Sequence, residues 1–321
     1  MALNLQNTLV VGISATALFD LSQADKLYKK YASHPDKAIE VYRDYMLKNE
    51  DIVLEKGVGF PLIKALLNLN RFQNKNETPL VEVVVMSRNS PDTGVRVLNT
   101  IREIGLNITR SAFTAGESSA DYLEAFNVDL FLTTNEEDAQ VVIDNRVCAS
   151  AVLSVSPEYE CDISDDQVRI AFDGDAVLFD EESEIVYKEK GIEAFHENEK
   201  KAQDIPMNKG PFASFLKKLA SLQDRLPMRM EFSPVRIALV TARNAPSDIR
   251  AIKTLRHWGV YVDEAFFLGG ITKSKILKAF KAHIFFDDQD VHLEDSSLVV
   301  PCGKVLYPSN CKLNNKNICV I

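Results

Sequence analysis

The sequence predicts an α/β protein made of two tandem parallel-sheet units, the first stripped of its polar chemistry and the second carrying a small insertion. Two observations predict it. The first is a repeat: Val81 to Asn135 lies against Val235 to Gln289 without a gap, with Ser87 against Thr241. Arg96, Thr100, Arg102, Gly105, Phe113, Gly116, Leu123, Ala125, Phe126 and Phe131 meet identical partners at Arg250, Thr254, Arg256, Gly259, Phe267, Gly270, Leu277, Ala279, Phe280 and Phe285. The second is the alternation of short apolar runs with amphipathic helical ones, the pattern of a parallel sheet with helices on both faces.

Both halves are read in the same order. Each opens on a strand, Thr8 to Ile13 or Val168 to Phe172, followed by a similar tetrapeptide, Ala17-Leu18-Phe19-Asp20 or Val177-Leu178-Phe179-Asp180. A charged insert comes next, Leu21 to Gly57 or Glu181 to Lys209. A helix then starts at Pro61 or Pro211, where a missing N–H costs nothing. A buried-type strand follows (Val83 to Met86; Ile237 to Val240), then a helix, a strand ending in Gly, a further helix and a last strand (Leu130 to Leu132; Ile284 to Phe286). Lys304 to Tyr307 reads as one more strand. The predicted units are 1–150, degenerate and structural, oligomerising or regulatory in role, and 151–321, catalytic, with a cap insertion at about 181–209.

The bulk numbers narrow the partners. The chain has 321 residues, 46% of them hydrophobic, and a formal charge of −9. No Lys/Arg stripe is present, which argues against nucleic-acid polymers and membrane surfaces. Cys148, Cys161, Cys302, Cys311 and Cys319 show no metal-ligand or disulfide-framework spacing, so they read as free thiols. The apolar run Leu9 to Phe19 lacks a preceding basic residue, unlike a signal peptide. The expected location is cytoplasmic.

In parallel sheets, ligands bind beyond the carboxyl ends of the strands. In the second half those positions hold Asp173-Gly174-Asp175, Thr241, Lys273 after Gly269-Gly270, and Asp287-Asp288. Asp173 and Asp175 project to one side of an extended chain, and Gly174 leaves the backbone open to close approach. Carboxylates crowded at one point repel unless a cation joins them, and hard oxygen donors suit Mg²⁺. A Thr hydroxyl, a Lys ammonium and helix N-terminal amides beside that metal suit a phosphoryl group. The other Asp-Asp-Gln, Asp165-Asp166-Gln167, precedes a strand and reads as a solvated loop. In the first half, Ser119 stands opposite Lys273 and Thr133-Thr134 opposite Asp287-Asp288. Anchoring on Leu18-Phe19-Asp20 puts Ile13 and Ala15 opposite Asp173 and Asp175. That half lacks the chemistry.

The order Asp-x-Asp, Thr, Lys, Asp-Asp resembles the haloacid-dehalogenase-like phosphohydrolases, whose units are Rossmann-like. More narrowly, Phe172-Asp173-Gly174-Asp175-Ala176-Val177-Leu178-Phe179, Leu239-Val240-Thr241-Ala242-Arg243, Phe267-Leu268-Gly269-Gly270 and Ile284-Phe285-Phe286-Asp287-Asp288-Gln289 resemble the cytosolic 5′-nucleotidase I family. The resemblance implies Mg²⁺-dependent hydrolysis of a nucleoside 5′-monophosphate, AMP or IMP foremost, through an aspartyl-phosphate. Asp173 would be the nucleophile and Asp175 the acid/base. Thr241, Lys273, Gly174, Ala242 and Arg243 would hold phosphate. Asp173, the Asp175 carbonyl, Asp287 and Asp288 would hold the metal. Phe179, Phe195, His196 and Asn244 are candidates for base or ribose contact, while Trp258 and His257 read as core and surface. The resemblance is also compatible with a homo-oligomer and a nucleotide effector.

Two other readings remain open at the level of sequence: a phosphatase for a sugar phosphate or another small phosphomonoester, and a non-catalytic nucleotide-sensing scaffold. A phosphotransferase would need the same residues.

Overall fold

Ten short strands make one mixed sheet in the computed structural model, which describes residues 5–75, 77–156, 167–227 and 233–314. The strands are β1 (Leu9–Ser14), β2 (Val81–Ser87), β3 (Arg110–Phe113), β4 (Leu130–Thr133), β5 (Ala149–Ser154), β6 (Val168–Phe172), β7 (Val235–Thr241), β8 (Glu264–Phe267), β9 (Ile284–Asp287) and β10 (Cys302–Lys304). Their order across the sheet is β3-β2-β1-β4-β5-β10-β9-β6-β7-β8. Every neighbouring pair is parallel except β5 with β10, which is antiparallel. The order within one half is thus the order within the other, read from the opposite edge. The expected parallel α/β architecture is present, but as one continuous sheet instead of two. A boundary at residue 150 would fall inside β5.

β5 was not anticipated. Its partner on one side, β10, is far along the chain, and Ala149–Ser154 lacks a long apolar run. The last strand was expected at Lys304 to Tyr307, but it runs Cys302–Lys304, with the Val305 N–H donating to the Asp287 carbonyl at 2.9 Å. Gly303 is needed at this seam because a Cβ there would lie 2.6 Å from the Phe286 ring and 3.1 Å from Ala151 Cβ.

One face of the sheet carries a core that runs through both halves. The helix Phe60–Asn68 touches β6, and the helix Ala213–Gln223 touches β1, so each reaches across to the other half's first strand. Between them Phe172, Phe212, Phe215 and Phe286 pack ring against ring, with centroids 4.7–6.5 Å apart. The opposite face has separate clusters, one around Phe131 and one around Phe285. Burial on both faces explains why the central strands read as continuous apolar runs.

The junction between insert and helix is built alike in both halves. Gly57 N donates to Leu18 O, and Gly210 N to Leu178 O, both at 2.9 Å. A Cβ on Gly210 would overlap the Phe179 carbonyl oxygen, a backbone atom that cannot rotate away. Gly210→Ala is therefore expected to destabilise the protein by about 1–3 kcal/mol, the scale of overpacking. Urea unfolding would read it, and an unchanged midpoint would contradict the packing argument.

The charged inserts are helical. The first contains Ser22–Lys30 and Pro35–Lys48, and the second a long helix, Glu182–Lys201. Gly191 breaks the latter with φ of 80°, a left-handed conformation that glycine adopts without a Cβ clash. No helix among the described residues is long and apolar enough to cross a membrane. Cys148, Cys302 and Cys311 are free thiols. Cys161, Cys319, Asp165 and Asp166 lie outside the described residues.

Candidate active site

Sheet register, rather than the neighbouring tetrapeptide, fixes which first-half residues sit opposite the Asp-x-Asp pair. Ile13 pairs with Leu132 on β4, and Phe172 with Phe286 on β9. Leu132 and Phe286 are partners in the repeat, so Ser14 stands opposite Asp173 and Thr16 opposite Asp175. This corrects the assignment to Ile13 and Ala15. The cause is one extra residue in the second-half turn. Phe19 N closes its turn on Ala15 O, four residues back, whereas Phe179 N closes on Gly174 O, five back. Ala176 absorbs the extra residue at φ 58°.

In the second half, the strand ends bring the expected carboxylates together. Asp173, Asp287 and Asp288 each offer an oxygen within 4.8 Å of the others, and all three are buried. The Asp173 amide donates to the Phe286 carbonyl at 2.8 Å, which ties the residue after β6 to the end of β9. Lys273 opens the helix Lys273–Phe280 and reaches between two of the acids. Its Nζ donates to Asp287 Oδ2 at 2.7 Å and pairs with Asp173 Oδ1 at 2.9 Å. That second contact is an ion pair, and Asp173 Oδ1 makes no other close polar contact to a side chain. Asp288 Oδ1 is likewise buried without a partner.

Burial raises the pKa of Asp173 and of Asp287, against the pull of Lys273. Burial, then Asp287 and Asp173, raises that of Asp288 well above the usual carboxylate range. Burial alone would lower Lys273, but its two carboxylates outweigh that and hold it charged. When all three carboxylates are ionised, one ammonium leaves two negative charges in a buried pocket, which is why their pKa values rise. A divalent cation would offset that charge, and the buried oxygens of Asp173 and Asp288 that make no hydrogen bond are suitable hard donors.

Thr241 ends β7 and is buried, its Oγ1 accepting from the Arg243 amide at 3.3 Å. A Cβ on Gly174 would come within 3.3 Å of that hydroxyl, so the glycine allows this close approach. Ala242 and Asn244 are exposed at the mouth. The Asp175 carboxylate is not part of the acidic cluster. Arg243 grips it with two parallel bonds, Nε to Oδ2 at 2.7 Å and Nη2 to Oδ1 at 2.6 Å.

The insert covers this region. Phe195 is buried with the Arg243 guanidinium 5.3 Å from its ring centroid, and His196 Nε2 is hydrogen-bonded to Asn244 Oδ1 at 3.0 Å. Phe179 has no exposed surface, its ring lying against Trp258 at 5.7 Å. The structure thus places Phe195, His196 and Asn244 at the cap–loop contact and Phe179 in the core. Trp258 is half-buried and His257 exposed.

Sequence reasoning missed several neighbours. Glu199 pairs with both Arg243 and Arg250. Glu184, on the same long helix, accepts from Gln289 Nε2 at 3.2 Å, and burial raises its pKa. The Tyr307 hydroxyl donates a short hydrogen bond to Asp288 Oδ2. Arg250 was visible only as the identical partner of Arg96. No local pattern pointed to Glu199 or Tyr307.

Tyr307 holds Asp288 Oδ2 and leaves Oδ1 without a hydrogen bond. Tyr307→Phe is expected to weaken divalent-cation binding by about 10–100-fold, as is usual when a group that orients a ligand is removed. A calorimetric Mg²⁺ titration would measure it. Equal affinities would show that Asp288 needs no such support.

In the first half the corresponding positions are all hydroxyls: Ser14, Thr16, Ser87, Ser119, Thr133 and Thr134. Ser14 Oγ lies 3.1 Å from Thr16 Oγ1, which lies 2.7 Å from Thr134 Oγ1. The loop hydrogen bonds are nonetheless matched. Ser87 Oγ accepts from Asn89 N at 3.2 Å where Thr241 accepts from Arg243, and Thr133 Oγ1 accepts from Asn135 N at 3.0 Å where Asp287 accepts from Gln289.

The sequence profile of the 5′-nucleotidase family matches residues 1–312. The chain is 36% identical to cytosolic 5′-nucleotidase 1B of Homo sapiens over 295 residues, which is 90% of this chain and 47% of that protein. The chain therefore spans about half the length of that relative. No solved structure matches it.

Proposed function

The chain belongs to the 5′-nucleotidase family, and on that premise we propose that it is a Mg²⁺-dependent phosphohydrolase acting on nucleoside 5′-monophosphates, AMP or IMP foremost. The observation that carries this reading is the buried cluster of Asp173, Asp287 and Asp288 around Lys273, with two formal negative charges left over. Asp173, Asp287, Asp288 and the main-chain carbonyl of Asp175 would hold Mg²⁺, which supplies charge neutralisation and polarises phosphoryl oxygens.

Asp173 attacks phosphorus in line, the bond to the 5′-oxygen breaks, and the nucleoside leaves with a proton from Asp175. Water then attacks the aspartyl-phosphate while Asp175 takes its proton, releasing phosphate and restoring Asp173. Lys273, Thr241 and the amides following Asp173 and Thr241, Gly174 and Ala242 among them, hold the phosphoryl oxygens as charge develops on them. Phe195, His196 and Asn244 border the mouth where base and ribose would lie.

The matched strand orders and loop hydrogen bonds support a duplicated unit, with the half that ends at β5 as the inert copy and the half that begins at β6 as the active one, so the boundary proposed at 150 moves beyond β5. Hydroxyls at six positions leave the first copy neither nucleophilic carboxylate nor lysine. Its proposed roles are structural support, a homo-oligomer contact or an effector site. The name of the human relative, a cytosolic enzyme, supports a cytosolic setting.

The deciding experiment is phosphate release from a panel of nucleoside 5′-monophosphates and sugar phosphates, with Mg²⁺ and with EDTA. Metal-dependent turnover of nucleotides is expected. Turnover confined to sugar phosphates would select the general phosphatase, and no turnover by folded protein would sink the hydrolase.

A further inference from the structure

Arg243 sits where three elements meet. Its Nε and Nη2 hold Asp175, on the turn after β6. Its Nη1 donates to Glu199 Oε2 at 2.5 Å and to the Ser247 carbonyl at 3.3 Å. Glu199 belongs to the cap helix, beyond the break at Gly191, and is fully buried. Its second oxygen takes Arg250 Nη1 at 2.7 Å and the Ser183 hydroxyl at 2.9 Å. Each charged hydrogen-bonding group of this network has a partner, as burial requires.

The first half makes a comparable link without charge. Asn89 stands at the repeat position of Arg243, and Tyr42, on the insert helix Pro35–Lys48, donates to Asn89 Oδ1 at 2.8 Å. Thr16, opposite Asp175, bonds instead to Ser14 and Thr134. An insert-to-loop link is thus common to both halves. Its extension to the position shared by Thr16 and Asp175 occurs only where that residue is a carboxylate.

We propose that Glu199 is a positioning residue for Asp175, acting through Arg243. This rests on the hydrolase reading above. A guanidinium on a long side chain presents both prongs to one carboxylate only if its remaining prong is fixed. Ser247 offers a single long bond to that prong, and Glu199 supplies the short one. The segment of cap beyond Gly191 therefore sets where the acid/base carboxylate stands relative to Asp173. Glu199 touches no reacting atom in this scheme, so its loss lowers turnover more than it weakens binding.

The test compares wild type with Glu199→Gln and with the charge-balanced double variant Glu199→Met/Arg250→Met. The double variant guards against a folding defect, because it removes an acid and a base together and fills their space. Steady-state kinetics on a nucleoside 5′-monophosphate should show kcat lowered about 10–100-fold in both, the scale of a small misplacement, with KM within about twofold. Side-chain ¹⁵N-arginine NMR gives a readout independent of turnover. The Arg243 Nε–H, identified by its loss in Arg243→Lys, should exchange slowly in wild type and faster in both variants. Wild-type kcat in the folded double variant, or unchanged Nε–H exchange in either, would overturn the proposal. A wild-type protein that hydrolyses no monophosphate would instead sink the hydrolase reading, while the exchange measurement would still decide whether Glu199 orders Arg243.

Discussion

Asp173→Asn is expected to abolish phosphate release while leaving the protein folded. The amide keeps the shape and one oxygen of the carboxylate, and the Asp173 backbone amide still bonds to Phe286. What it loses is the charged oxygen that attacks phosphorus in the proposed reaction. Removing the nucleophile from a covalent catalyst costs on the order of 10⁶-fold in kcat. The comparison must include unfolding curves and a Mg²⁺ titration, since Asp173 also contributes to the acidic cluster. Metal-dependent turnover within tenfold of wild type would exclude Asp173 as nucleophile and leave a water directly activated at the cluster as the better chemistry.

Lys273→Met should be the second most damaging change, and it separates two jobs of one side chain. Its Nζ contacts Asp173 and Asp287 in a site closed to water. Without it the carboxylates face each other unscreened, and breaking a buried pair typically costs about 3–5 kcal/mol. The pH sign follows from the raised pKa values of Asp173 and Asp287. A carboxylate whose folded pKa lies above its unfolded one favours folding while protonated, and that contribution is lost as pH rises through the folded value. The stability deficit of the variant should therefore be smaller at pH 5 than at pH 8, and Mg²⁺ should reduce it at pH 8. Urea unfolding at both pH values, with EDTA and with Mg²⁺, reads this directly. A deficit independent of pH would mean that lost packing, not charge, is responsible. Turnover should fall about 10²–10³-fold, the cost of one donor to a developing oxyanion.

The parts of this molecule visible in its sequence are those governed by short-range rules. Apolar runs buried on both faces revealed β1, β2, β4, β6, β7 and β9, and the residues just past them revealed Asp173, Thr241, Lys273 and the Asp287-Asp288 pair. What escaped depends on long-range partners. β5 is held between β4 and the distant β10, and β10 was read two residues too late. Glu199 lies in an unremarkable charged helix, and only the fold brings it to Arg243 and Arg250. Tyr307 follows a three-residue strand whose position was misjudged, so its hydroxyl was not placed near Asp288. The mismatch of Ile13 and Ala15 arose because a similar tetrapeptide outweighed strand register, and the tetrapeptide lies beyond the extra residue. Phe179 is aromatic and close in sequence to Asp175, but it belongs to the core because its ring fills the space beside Trp258.

The seam between β5 and β10 ties the first half of the sheet to the acidic cluster of the second. β10 has three residues and is held on both sides, and its Lys304 lies beside Asp287. A lone three-residue strand at a sheet edge would be poorly held. Removing β5 would free not only β10 but also the backbone grip of Val305 on Asp287 and the approach of Tyr307 to Asp288. A lineage carrying this chain could therefore let the hydroxyls of the first half drift widely. It could not discard that half, or shift the register of β5 by one residue, without disturbing the acidic cluster beyond β9.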